Sequence, residues 1–227
     1  MQVYTHILFD MDDTILDFQK AQLVSFKYVL EKYEISFSED VYLRYEDINH
    51  FLWKQFDEGI ISKDIVQNER FSRFFDTLGK QVDGKQANSL YQESLSSQTW
   101  LIPHAKEVCL ELSKHHTLSI VTNGVGTTQK RRFSISEIFP YFSHILISED
   151  IGVAKPNKEF FDEAFNLIKC TDRHKILLVG DSLSSDIQGA NNVGIDCCWF
   201  NPKGTINNGQ LQITYTITDL RQLLDIV

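Results

Sequence analysis

Apolar residues follow two different patterns along this chain. Within residues 1–10 the run His6–Phe9 is short and mostly apolar, and it predicts a buried strand. From Phe18 to about Gln98, apolar residues recur with the spacing of amphipathic helices, which predicts a bundle of about four helices. Polar and glycine-containing breaks separate these helices near residues 36–38, 58–59 and 79–84.

After Thr99, strand-like and helix-like segments alternate to the end of the sequence. This alternation predicts a mostly parallel sheet with helices on both faces. We therefore predict an α/β fold, with a Rossmann-like three-layer core formed by residues 1–17 and 99–227 and a helical-bundle insertion at 18–98. The predicted strands of the second part are 118–121, 144–147, 175–179 and 195–199, and the predicted helices are 104–115, 127–137, 160–169 and 184–193. A surface loop over 201–210 is expected before a short final strand and helix.

Composition and charge narrow the function classes. The 227 residues are 42% hydrophobic and 23% charged, which is typical of a globular protein. A net charge of −9 argues against a broad nucleic-acid or anionic-membrane surface. No apolar stretch approaches the length of a membrane span, and the N-terminus lacks a secretory pattern, so we expect a cytoplasmic protein. The basic run Lys130–Arg132 is interpreted as a solvated helix face, and the four cysteines as reduced, mostly buried thiols.

Polar side chains that suit catalysis follow four of the predicted strands. In an open parallel sheet, ligands bind beyond the carboxyl ends of the strands, so these side chains are expected to converge. They are Asp10 and Asp12 after the first strand, Thr122, Asn123 and Gly124 after the second, Lys155 in the loop after the third, and Asp181 and Asp186 after the fourth.

This set of side chains predicts a magnesium-assisted reaction at phosphorus. Carboxylates without a cysteine or histidine partner favour Mg²⁺ over zinc, and Asp10 and Asp181 are the candidate ligands. Asp10 can also attack phosphorus to form an aspartyl-phosphate, while Asp12 protonates the leaving oxygen and then deprotonates water. Candidate ligands of the phosphoryl oxygens are the Thr122 hydroxyl, the amides near Asn123 and Gly124, and Lys155.

Three polar residues next to these candidate site residues are assigned structural roles. Asp13 is interpreted as a solvated or helix-capping acid. Thr14 is expected to form a hydrogen bond within its own turn, and Ser182 to cap the following helix.

Four motifs, in this order, resemble those of the haloacid dehalogenase-like phosphohydrolases. They are Asp10-x-Asp12-x-Thr14, Thr122-Asn123-Gly124, Lys155-Pro156 and Gly180-Asp181-Ser182-x-x-x-Asp186. The resemblance covers essentially the whole chain. It implies that Asp10 is the nucleophile, that Asp12 is the general acid and base, and that Thr122 and Lys155 bind phosphate.

The same resemblance implies a Mg²⁺ ion bound by Asp10, the backbone carbonyl of Asp12 and Asp181, with Asp186 supporting the metal site. It also implies that the insertion at 18–98 is a cap over the active site. We expect a small-molecule phosphate ester as the partner, no nucleic acid or membrane, and a monomer or weak homodimer.

Three further segments are similar to the bacterial house-cleaning pyrimidine 5′-nucleotidases, namely Leu52–Ser62, Glu69–Phe71 and Ile147–Asn157. This likeness implies hydrolysis of nucleoside 5′-monophosphates. The alternatives are another small ester such as phosphoglycolate or a sugar phosphate, a dehalogenase or phosphomutase, and a non-catalytic phosphate- or protein-binding module. Trp53, Phe56 and Phe71 are interpreted as helix core, with stacking on a nucleobase as the alternative.

Overall fold

The computed structural model describes residues 4–207 and 209–227. The chain divides into two compact units, one formed by residues 1–18 and 99–227 and the other by residues 19–98. We propose that these units are two domains, divided near the predicted boundaries. Residues 1–3 of the predicted first strand segment and residue 208 of the predicted loop lie outside the described residues.

The larger unit contains a six-stranded sheet in the order β3-β2-β1-β4-β5-β6. All five pairings between neighbouring strands are parallel. The predicted α/β class is therefore confirmed, and the sheet of the described residues is wholly rather than mostly parallel. The strands are β1 (His6–Phe9), β2 (Thr117–Thr122), β3 (His144–Ile147), β4 (Ile176–Gly180), β5 (Asp196–Phe200) and β6 (Tyr215–Ile217).

Alternation of side chains along the strands produces two apolar layers. In β1, Ile7 and Phe9 join one buried cluster, whereas Leu8 joins another on the opposite face. Helix residues complete each cluster, so the sheet is the middle layer of three. The helices of this unit are α5 (Ala105–Leu112), α6 (Gly126–Ile135), α7 (Ser148–Ile151), α8 (Lys158–Ile168) and α9 (Gln188–Val193).

Several details of this unit differ from the predicted pattern. The short helix α7 was not expected, since four residues carry too little periodicity to be recognised. The helix predicted at 184–193 begins as a π-helical turn, Leu183–Ile187, and continues as α9. The expected final helix is a 3₁₀ segment, Leu220–Asp225, and two further 3₁₀ turns occupy Phe139–Tyr141 and Arg173–Lys175. All four cysteines are reduced and buried, as predicted.

The smaller unit consists of helices with an aromatic interior. Its helices are α1 (Phe18–Lys32), whose first residue belongs to the larger unit, α2 (Glu39–Asp57), α3 (Lys63–Thr77) and α4 (Gly84–Leu95). Tyr45 stacks on Phe26 and Phe71, with ring centroids 4.5 and 5.4 Å apart. Phe71 is fully buried, which confirms it as core, whereas Trp53 and Phe56 are half-buried and contact each other edge to face. Within the described part of the chain, none of the helices is both long and apolar enough to span a bilayer.

Candidate active site

The loop after β1 is shaped by Asp13 and Thr14. Asp13 has a φ of 56°, a conformation that aspartate adopts more readily than most residues, and its carboxylate accepts from the Phe18 N–H at 3.0 Å. Phe18 is the first residue of α1, so Asp13 binds the first N–H of that helix, which favours the capping alternative of its predicted role. The buried Thr14 hydroxyl donates to Asp181 Oδ1 at 3.5 Å rather than within its own turn. The loops of neighbouring parallel strands lie side by side, which explains this difference.

Lys155 is the charged centre of the site. Its Nζ donates to Asp10 Oδ1 at 2.6 Å, to Asp186 Oδ1 at 2.7 Å and to the Val121 carbonyl at 2.9 Å. The side chain is only 1% exposed. An ammonium group has three N–H donors, so all three are used within the protein. Lys155 therefore holds together three segments of the chain: the loop after β1, the end of β2 and the turn after β4.

Asn123 fixes the backbone of Lys155. The Asn123 Nδ2 donates to the Lys155 carbonyl and its Oδ1 accepts from the Lys155 N–H, both at 2.9 Å. A side-chain amide that binds both the N–H and the carbonyl of one residue fixes the position and the direction of the backbone at that residue. The Asn123 side chain is thus bound to the backbone of the loop that carries Lys155.

Three carboxylates meet beside Lys155. One oxygen from each of Asp10, Asp181 and Asp186 lies within 4.8 Å of the others. Asp186 is fully buried, and its Oδ2 accepts from the Ser182 N–H at 3.1 Å. The Ser182 hydroxyl accepts in turn from the Ser185 N–H, so the predicted cap is confirmed. Gly180 permits this packing, because a Cβ there would lie 2.3 Å from the Asp186 carboxyl carbon.

Burial and mutual repulsion oppose the charges of this cluster. Burial, reinforced by the negative charge of Asp186 and opposed in part by Lys155, raises the pKa of Asp10 to about 7. Burial also raises the pKa of Asp181 well above its usual range, with added repulsion from Asp10 and Asp186. Burial alone lowers the pKa of Lys155, but the two neighbouring carboxylates outweigh it and raise that pKa. Full ionisation of the three acids around one lysine would leave an excess of negative charge, and the raised pKa values of Asp10 and Asp181 reflect this cost.

The donor set of this cluster fits Mg²⁺. Its members are all carboxylate oxygens, which suit a hard divalent cation and do not suit zinc. A doubly charged cation would also offset the excess negative charge that one lysine leaves. Asp10, Asp181 and Asp186 are consequently the side chains that could hold the metal.

The Asp12 carboxylate binds a different pair of side chains. Its Oδ2 accepts from Gln129 Nε2 at 2.8 Å, and its Oδ1 forms an ion pair with Arg132 Nη1. The side chain is 25% exposed, whereas Arg132 is completely buried. Asp12 is not among the three clustered carboxylates of the described residues. The two acids of the first motif are thus held by different cations, Asp10 by Lys155 and Asp12 by Arg132.

Thr122 is buried at the end of β2, and its hydroxyl is part of the same network. Its Oγ1 accepts from the Gly124 N–H at 3.1 Å and from Gln129 Nε2 at 2.9 Å. The predicted phosphate ligands Thr122 and Gly124 therefore contact each other directly.

The interpretation of Lys130–Arg132 as a solvated face is wrong for its last residue. Lys130 and Arg131 are exposed, but Arg132 is fully buried. On α6, Gln129, Arg132 and Phe133 share the buried face. The sequence signal for this buried face is the helical spacing of residues 129, 132 and 133. A run of three basic residues usually indicates a solvated surface, and this pattern hid the signal.

Comparison with known proteins gives independent evidence on the family of this chain. The sequence pattern of the haloacid dehalogenase-like hydrolases matches residues 7–200. The chain belongs to this family. The resemblance and the hydrolase activity predicted from the four motifs are therefore confirmed at the level of the family.

Several relatives of this haloacid dehalogenase-like hydrolase resemble it over nearly their full length. The HAD-hydrolase YfnB of Bacillus subtilis is 38% identical over 227 residues, which cover 100% of this chain and 97% of that protein. The superposition on the magnesium-bound crystal structure of YfnB has a TM-score of 0.95 and covers 99% of this chain and 98% of the YfnB chain. The pyrimidine 5′-nucleotidase PynA of Streptococcus pneumoniae is 35% identical over 98% of this chain and 94% of its own. The pyrimidine 5′-nucleotidase YjjG of Escherichia coli is 29% identical over 96% and 95%.

Proposed function

We propose that this hydrolase is a Mg²⁺-dependent phosphatase that cleaves nucleoside 5′-monophosphates, with pyrimidine nucleotides preferred. The observation that carries the proposal is that two carboxylates close together in the sequence pair with different cationic side chains. Asp10 lies in the buried acidic cluster beside Lys155, whereas Asp12 accepts a hydrogen bond from Gln129 and forms an ion pair with Arg132. Two acids in different surroundings can serve as nucleophile and proton carrier in one reaction. The two relatives named as pyrimidine 5′-nucleotidases support the substrate class.

In the first proposed step, a carboxylate oxygen of Asp10 forms a bond to phosphorus while the bond from phosphorus to the ester oxygen breaks. Asp12 gives its proton to the departing alcohol oxygen. Thr122 donates to a phosphoryl oxygen, and Lys155 supplies a fixed positive charge beside Asp10. When bound at Asp10, Asp181 and Asp186, Mg²⁺ supplies further charge neutralisation for the phosphoryl group.

In the second proposed step, Asp12 takes a proton from a water molecule whose oxygen attacks the aspartyl-phosphate. The bond between phosphorus and Asp10 then breaks, which returns the Asp10 carboxylate and releases inorganic phosphate. Asp12 again carries its proton, so the cycle closes with one ester and one water consumed.

The substrate class is tested by phosphate release from a panel of esters with Mg²⁺ and with EDTA. We expect kcat/KM for UMP, dUMP and dTMP to exceed that for AMP, glucose 6-phosphate and phosphoglycolate by about tenfold or more, equivalent to about 1.4 kcal/mol of discrimination. EDTA is expected to abolish the activity. A higher kcat/KM for a sugar phosphate or phosphoglycolate would overturn the nucleotide assignment, and an absence of phosphate release from every ester would overturn the phosphatase.

Magnesium binding can be measured without turnover. A ligand at about 100 times its Kd stabilises the folded state by about 2.7 kcal/mol, which for a chain of this size raises Tm by about 5–10 °C. We expect such a rise on addition of Mg²⁺ and its loss in Asp181→Asn, which removes one carboxylate of the cluster. Asp225→Asn, at an exposed acid of the last helical turn, is the matched control and should keep the full rise. A full rise in Asp181→Asn would contradict the metal assignment.

A further inference from the structure

Two side chains of α6 hold the carboxylate of Asp12 at both oxygens. Gln129 Nε2 donates to Oδ2 at 2.8 Å, and Arg132 Nη1 donates to Oδ1. Arg132 Nη1 also donates to Gln129 Oε1 at 3.0 Å, so the two side chains position each other as well as the acid. Both are buried, at 1% and 0% exposure. A carboxylate bound at each oxygen by buried donors has little freedom to change rotamer.

Gln129 also orients the Thr122 hydroxyl. Thr122 Oγ1 accepts from Gln129 Nε2 at 2.9 Å and from the Gly124 N–H at 3.1 Å. A hydroxyl has two acceptor positions and one O–H, so with both acceptor positions used its proton is left to donate. In the proposed reaction that proton points to a phosphoryl oxygen. One amide therefore couples the orientation of the acid to that of the phosphate ligand.

The surroundings of these two side chains explain why they are held so closely. The guanidinium carbon of Arg132 lies 5.9 Å from the centroid of the Phe18 ring. The Gln129 side chain packs directly against the Cα of Gly124. A Cβ at this position would lie 2.4 Å from Gln129 Nε2 and would displace the side chain. The glycine of the second motif thus provides the space in which Gln129 reaches both Asp12 and Thr122.

We propose that Gln129 and Arg132 are positioning residues of the hydrolytic reaction, which fix Asp12 for proton transfer and turn the Thr122 proton toward the phosphate. This inference rests on the proposed function and adds two residues to it. It has a specific consequence for the leaving group. An alkoxide such as the 5′ oxygen of a nucleoside needs a proton as it departs, whereas 4-nitrophenolate is a stable anion and needs little assistance.

The test compares kcat/KM for UMP and for 4-nitrophenyl phosphate in Arg132→Met, which removes the charge and keeps most of the length. Since kcat/KM covers the steps up to ester cleavage, it reports proton donation to the leaving group. We expect a loss of about 100-fold with UMP, within the usual range for a positioned acid, and a loss of only about threefold with 4-nitrophenyl phosphate. Arg132→Lys, which keeps a cationic donor, should recover part of the activity with UMP. The matched control is Arg131→Met, at the exposed neighbour on α6, and it should leave both values unchanged.

A second variant keeps the inference testable if Arg132→Met does not fold. Gln129→Leu removes the bonds to both Asp12 and Thr122, so we expect losses with both esters and a larger loss with UMP. Equal losses with the two esters in both variants, with the wild type active, would overturn the inference and leave the proposed function standing. A wild-type protein inactive toward both esters would overturn the proposed function and this inference with it.

Discussion

Replacement of Asp10 by asparagine is expected to lower phosphate release by about 10⁴-fold or more, the scale of loss seen when a covalent nucleophile is removed. The amide oxygen of asparagine can still accept from Lys155, so the side chain keeps its place beside the lysine. It lacks the charge and the nucleophilicity that the reaction at phosphorus needs. Initial rates with UMP at saturating Mg²⁺ measure the effect.

The control for this variant lies three residues along the same loop. Asp13→Asn keeps an oxygen that can accept from the Phe18 N–H, and asparagine tolerates the left-handed conformation of this position. We expect it to retain most of the activity. Turnover in Asp10→Asn within about tenfold of wild type, beyond any contamination, would exclude Asp10 as the nucleophile, because a nucleophile contributes far more than this.

Stability separates the loss of chemistry from a loss of fold. Because the pKa of Asp10 is raised to about 7, the folded state without metal binds more protons than the unfolded state between about pH 4 and pH 7. Ionisation of Asp10 therefore destabilises the folded state. This loss of stability grows as pH rises through the window and reaches its full size above pH 7. Asp10→Asn removes this cost, so in EDTA at pH 8 it should unfold at or above the wild-type temperature. The difference should shrink as pH is lowered to 5.

The sheet could be predicted from the sequence because its signal is local. His6–Phe9 and His144–Ile147 are apolar runs bounded by polar residues, and both form the predicted strands without a change of boundary. A strand buried on both faces needs such a run, whichever strands lie beside it. Other strand and helix ends shift by one or a few residues, since the ends depend on capping contacts that the apolar pattern does not contain.

The partners of the site residues were harder to predict because they come from distant parts of the chain. Asp12 and Arg132 are 120 positions apart, and nothing in the local pattern around either one indicates the other. Asn123 illustrates the same difficulty. Its position after β2 predicted a place near the phosphate, but which backbone its amide would bind depends on the path of the Lys155 loop. Sequence position therefore assigned the edge of the sheet at which these residues meet, and the fold decided which of them pair.

The second large effect concerns stability. We expect Lys155→Met to lower the free energy of unfolding by about 3–5 kcal/mol in EDTA at pH 8, the usual cost of removing one partner from a buried ion pair. Three acceptors lose their donor together, since Lys155 Nζ contacts Asp10, Asp186 and the Val121 carbonyl. At pH 8 the remaining carboxylates repel one another with no buried cation between them. Denaturant unfolding followed by circular dichroism gives the free energy directly.

Lys158→Met is the matched control for this variant, because it removes a lysine three positions away that is 56% exposed and paired with Asp162. An exposed pair contributes about 0–1 kcal/mol, so this control should unfold close to wild type. The deficit of Lys155→Met should become smaller as pH falls from 8 to 5.5, since carboxylates with raised pKa values take up protons in the folded state and lose their repulsion. Added Mg²⁺ should recover part of it by supplying the missing positive charge. A Lys155→Met protein within about 1 kcal/mol of wild type in EDTA at pH 8 would show a loss no larger than an exposed pair contributes. It would mean that the acids are not ionised there and that the charge of Lys155 does not hold these three segments together.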